Sequence, residues 1–249
     1  MIKRMVTSAL FAGAVAGLLA AALQFAFLQK FILLAEDYET GAAVHFAGVP
    51  NIQDAPAPTA AEGAIPDEAG TMVMPTSASD TAETSTFERN AWTTLFAGLV
   101  YVAYGLILVA GFGLAEAFGK SVSAREGLIW GIAGFAAVQL FPAMGLAPEL
   151  PGIPAADLAA RQLWWWGTVA SAVVALGLLA YGKGMIAPVA AVILLAAPHI
   201  IGAPELDGFS GVTPPEISAT FSARVLGSGF VAWAVLGWLA GWFWNRKSA

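Results

Sequence analysis

Residues 197–208 read Ala-Pro-His-Ile-Ile-Gly-Ala-Pro-Glu-Leu-Asp-Gly, a stretch that closes an apolar run with two prolines, a histidine and a carboxylate. A shift of 56 positions carries Pro198, Pro204, Glu205, Leu206 and Gly208 onto Pro142, Pro148, Glu149, Leu150 and Gly152. Two apolar runs therefore end in the same pattern, Pro-x5-Pro-Glu-Leu-x-Gly. A proline near the end of a helix removes an N–H donor and leaves a carbonyl free. At membrane depth such a group is tolerated only where protein or water receives it.

The runs that these breaks terminate set the fold class. The 249 residues are 58% hydrophobic and 11% charged, with a mean hydropathy of +0.73. That leaves too little polar surface to coat a soluble globule, and apolar runs near 20 residues read as membrane helices. The expected class is an all-α, multi-pass membrane protein, with the lipid bilayer as its first partner. There is no cysteine, so thiolate sites and cysteine nucleophiles are excluded, and a metal would rely on nitrogen, oxygen or thioether donors. The net charge of -6 carries no basic footprint for nucleic acid.

Working outward, six spans are expected at 6–34, 92–118, 128–146, 163–181, 185–203 and 221–244. The fourth and fifth are separated only by Gly182, Lys183 and Gly184, which read as a tight turn. The chain divides into a first span (1–34), an acidic loop (35–90) and a five-helix remainder (91–249). Between Asp54 and Glu83 the loop is rich in Pro, Ala, Thr, Ser and acids, too polar to bury a core of its own. In an N-in, C-in arrangement Lys3, Arg4, Lys120, Arg125, Lys183, Arg246 and Lys247 fall on one side with only Glu116 and Glu126. Cytoplasmic loops are enriched in Lys and Arg, so that side is read as the cytoplasm.

Spans three and five run outward and share the proline-carboxylate ending, so hairpins three-four and five-six read as a parallel internal repeat. Arg161 and Arg224 stand near the outer start of the returning helices. Arg89 holds a similar place before span two, opposite Gln24 and Glu36, which extends the pattern toward a third hairpin.

Each chemically distinctive residue carries two readings. Pro142, Pro148, Pro198 and Pro204 either expose carbonyls to a passing cation or simply bend and end helices. Glu149 and Glu205 form an acidic vestibule that concentrates cations, or are solvated loop acids. His199 is an ionisable group within a span, where such residues commonly face a cavity or a partner. It is either a ligand or a packed, hydrogen-bonded histidine. With His45, Glu36, Glu149, Glu205 and Met144 it would make a nitrogen and oxygen set for a divalent transition metal. Gln24 and Gln139 line a path or hydrogen-bond between helices. No convergent acid, base and nucleophile set is visible, so the chain reads as a non-enzyme with no permanently bound cofactor.

Taken together, the basic start with its long first span, the early loop with His45, the Trp-Gly-x-x-Gly-Phe run at 130–135, the Pro-x5-Pro-Glu-Leu-Pro-Gly ending and the Pro-His-Ile-Ile-Gly-Ala-Pro run resemble the CbtA family of predicted cobalt transporter subunits. The resemblance spans essentially the whole chain. It implies uptake of Co2+ or a similar divalent cation across a bacterial cytoplasmic (inner) membrane. It also implies a partner, the small one-span CbtB with its histidine-rich tail. The family is often described with five spans, one fewer than read here. The other reading kept open is a non-transporting scaffold, or a membrane enzyme acting on cobalamin or lipid.

Overall fold

The computed structural model describes residues 2–44, 85–208 and 211–246. Among them the chain is all-helical, without strands. Six helices follow one another: α1 (Ile2–Glu39), α2 (Thr86–Ala117), α3 (Ala124–Ala143), α4 (Leu158–Tyr181), α5 (Ile186–Ile201) and α6 (Pro215–Asn245). Five are long and apolar enough to cross a bilayer, whereas α5 has 16 residues. At about 1.5 Å per residue α5 spans ~24 Å, less than the ~30 Å hydrocarbon core. The middle of the acidic loop, His45 included, lies outside the described residues.

Local chemistry explains the helix ends. Ser85 accepts from the Glu88 amide at the start of α2, and Asp157 from the Ala160 amide at the start of α4. Ser123 and Glu126 form a reciprocal capping box before α3. Pro215 occupies the first turn of α6, where a missing N–H costs nothing.

The helices do not pair as their order suggested. α1 packs along α2, α3 along α6, α6 against α1, and α4 along α5. The expected three-four and five-six hairpins are therefore not the main packed pairs; α3 meets α4 mainly through its last turns. Glycine decides the α3–α6 pairing. A Cβ on Gly127 would stand 2.8 Å from the Gly241 Cα, and one on Gly237 2.6 Å from the Gly131 Cα. These reciprocal Gly-xxx-Gly faces let the two backbones touch, the usual way membrane helices gain contact when apolarity alone cannot drive pairing. Gly13 and Gly17, spaced four residues apart, do the same on α1. A Cβ there would sit 2.5 Å from the Val102 Cα and 2.6 Å from the Gly98 Cα.

Between these seams lies a core of Tyr101, Leu108, Val109, Phe112, Trp233, Leu236 and Trp244. Arg4, at the start of α1, pairs with Glu116 at the end of α2, and its guanidinium lies 3.8 Å from the Trp244 ring centre. The Trp244 indole donates to Glu116 at 2.7 Å. The start of α1 and the end of α6 thus share one face, termed the terminal face. The Glu36, Glu149 and Arg224 ends share the opposite, loop face.

The two copies of the repeated ending differ in surroundings. Leu150 is buried with Leu28, Ala35 and Phe221, and the Ser222 hydroxyl donates to the Pro148 carbonyl at 2.7 Å. Leu206 is exposed. The parallel repeat is therefore visible as sequence and not as equivalent packing. α3 sits inside the bundle, while α5 leans on α4 at its edge.

Candidate functional site

Two helices widen by one residue within the bundle. In α1 the Gln29 amide bonds to the Gln24 carbonyl, and in α3 the Phe141 amide bonds to the Ala136 carbonyl, both with i→i+5 spacing. The resulting π turns cover Gln24–Leu28 and Ala136–Leu140. Such turns are rare and gather at functional sites. The second has a local cause, because Pro142 stands two residues beyond it and its ring cannot accept regular helical spacing behind it.

Both turns border one open cavity of about 660 Å³, lined by residues of α1, α2, α3 and α6. Gln24, Gln139, Tyr101, Ser228, Thr93 and Arg89 supply its polar lining, against an apolar wall that includes Trp92, Phe96 and Val225. The Gln139 Oε1 is buried without a hydrogen-bond partner and fits only because residue 229 is glycine. A Cβ there would clash with the amide oxygen. At the loop-face end Arg89 reaches Glu36 at 3.5 Å, and Gln29 donates to Asn90 at 3.2 Å. Arg224 donates to the Phe27 carbonyl, inside the first π turn, at 3.4 Å.

A second feature of the loop face is the meeting of the two helix breaks. A Cβ on Gly145, just past α3, would stand 3.0 Å from that of Ala203, just past α5, with Trp164 beside both. His199 lies here, its ring centre 5.9 Å from that of Trp164 and 6.5 Å from that of Phe141, and its Nε2 is buried without a partner. The Trp164 indole donates to the Pro198 carbonyl at 3.1 Å. The carbonyl that Pro198 strips of its helical donor belongs to Leu194, and the Ser171 hydroxyl fills that place. This proline therefore locks α4 to α5.

The residues singled out in sequence divide accordingly. Gln24 and Gln139 share the cavity. Glu36 is paired with Arg89, and Glu149 with Arg161 at 2.8 Å. Glu205 and Met144 are exposed on the loop face, Pro204 is half-buried, and Pro142 and Pro198 are buried. His45 lies outside the described residues. Among the described residues no three His, Asp or Glu side chains converge as a metal cluster would. Tyr101, Ser228 and Gly229 line the cavity without having stood out in sequence, because a hydroxyl or glycine in an apolar run is common. The Gly-xxx-Gly spacings at 127/131 and 237/241 are the signal that could have pointed to α3 meeting α6.

Neither a curated protein nor a solved structure matches the chain. A family model described as a probable cobalt transporter subunit matches residues 2–245, nearly the full length. An all-helical membrane bundle with a cavity between its helices agrees with that description, and the chain belongs to the CbtA family.

Proposed function

We propose that this chain is the membrane subunit through which Co2+, or a divalent cation of similar chemistry, is taken up across the bacterial cytoplasmic membrane. The observation that carries this reading is the cavity between α1, α2, α3 and α6, which places two membrane-depth amides among apolar walls. In this reading the terminal face is cytoplasmic and the loop face receives the ion. Glu205 and the acidic loop with His45 raise the local cation concentration there, while Glu36 and Glu149 are neutralised by Arg89 and Arg161. His199 lies between the two helix breaks, near Phe141 and Trp164. The small one-span subunit with a histidine-rich tail is the partner that supplies or receives metal. The chain itself does no chemistry on the ion and keeps no resident cofactor.

Accumulation of radioactive cobalt, in cells lacking other cobalt uptake, tests this directly. Cells expressing the chain together with its small partner should accumulate cobalt well above vector controls, and the chain alone less. Cobalt levels equal to the vector control, at verified membrane abundance of both proteins, would sink the proposal.

A further inference from the structure

We infer that the open cavity holds one anionic phospholipid, its phosphate on Arg89 and one acyl chain along the apolar wall, whether or not the chain carries cobalt. The lining grades from charge to hydrocarbon with depth. Arg89 stands in the first turns of α2 at the loop face, with Trp92 one turn on. Gln29 bonds to Asn90 and Gly17 meets Gly98, a register that puts Gln24 level with Thr93. Both lie about 6 Å deeper than Arg89, at ~1.5 Å per residue. Below them come Phe96, Ala97, Val100 and Ala20. The phosphate, ester groups and acyl chain of a phospholipid follow the same order.

Depth separates a lipid from a crossing helix as the occupant. From Arg89 to the buried Tyr101 α2 rises about 18 Å, close to one leaflet, half of the ~30 Å hydrocarbon core. A crossing helix would need a groove nearly twice as long. Trp92, Phe96 and Val100 are exposed, so the cavity opens sideways to the bilayer. Its volume of about 660 Å³ lies within the ~300–1,000 Å³ of small-molecule sites. Charge selects an anionic lipid. Among the described residues no carboxylate lines the cavity, and Arg89 meets Glu36 through one nitrogen at 3.5 Å, the two side chains 41% and 42% exposed. Exposed pairs of this kind are weak, whereas a phosphate can take two parallel N–H bonds from a guanidinium. Arg224 and Lys30 flank Phe31 at the same end of α1, 4.9 and 5.0 Å from its ring centre. The N-terminal end of α2 adds positive partial charge.

The test titrates the purified full chain, delipidated in neutral detergent micelles without cobalt, with palmitoyl-oleoyl phosphatidylglycerol or phosphatidylcholine. Native mass spectrometry counts the bound lipids. The first phosphatidylglycerol should bind about tenfold tighter than phosphatidylcholine, the scale of one charge-assisted hydrogen bond. Arg89→Gln should erase that preference, and Glu36→Gln, which removes the competing carboxylate, should increase it. Val100→Trp, filling the cavity from an exposed position, should weaken both lipids. Glycerol 3-phosphate, a headgroup without chains, should displace neither. Equal binding of the two lipids, a folded Arg89→Gln protein that keeps the preference, or displacement by glycerol 3-phosphate would overturn the inference. So would lipid-free dimers that Val100→Trp dissociates, since a second copy would then fill the opening. If Arg89→Gln does not elute as folded protein, the direction of the Glu36→Gln change decides. No cobalt enters these measurements, so failure of cobalt uptake in cells would remove the transport reading and leave the lipid site standing.

Discussion

The Ser171 hydroxyl donates to the Leu194 carbonyl, the group that Pro198 leaves without its helical donor. A break that looked like a cation ligand in sequence is thereby satisfied by a neighbouring helix. Replacing Ser171 by Ala should destabilise the α4–α5 pair by about 0.6–1.5 kcal/mol, the range for such bonds in membranes. With Pro198→Ala also present, residue 198 regains its N–H and can serve Leu194, so the cost of Ser171→Ala should vanish. Equilibrium unfolding of the two single variants and the double variant in mixed micelles measures the coupling, and additive effects would contradict the assignment.

Arg4 beside Glu116 and Trp244 places the start of α1 and the end of α6 on one face, which requires an even number of crossings. An alkaline phosphatase fused after Ala249 should be inactive, and one fused within residues 182–184 inactive as well. An active fusion at the C-terminus would mean that α5, with its 16 residues, does not cross.

The α3–α6 seam has no room for side chains. Gly131→Val or Gly237→Val would push Cβ into opposing backbone, and overpacking of this kind costs about 1–3 kcal/mol. We expect earlier thermal unfolding for either variant, read by loss of monodisperse protein after heating. Gly177→Val provides the control, since nothing lies within 4 Å of a Cβ built there.

Outer acids and the histidine should be separable by kinetics. Glu205 is exposed, so Glu205→Gln should raise the half-saturating cobalt concentration about two- to threefold at low salt, with the difference fading at ~0.5 M salt as screening shortens. His199 has a buried, unpartnered Nε2 between Phe141 and Trp164. A role in metal handling predicts that His199→Gln lowers maximal uptake at matched abundance, independently of salt. If His199→Gln transports normally, the imidazole serves packing alone.

Sequence alone determined the class, the positions of the helices and the charge asymmetry between the faces. A bilayer forces each crossing to be long, apolar and internally hydrogen-bonded, and those demands are written residue by residue. Even the polar residues of the cavity, Gln24 and Gln139, were conspicuous in apolar runs. Their meeting was not, because each owes its place to a π turn, a one-residue insertion that leaves hydropathy unchanged. Which helices pair was decided by tertiary contact as well. All the helices are similarly apolar, so α3 finds α6 through the reciprocal fit of Gly127 and Gly131 with Gly237 and Gly241, and not through any difference in hydrophobicity. The repeated Pro-Glu-Leu endings show the same division. Their sequences match, but Leu150 is buried against α1 and α6 while Leu206 is exposed at the edge of the bundle, since α3 packs along α6 inside the bundle whereas α5 packs on α4.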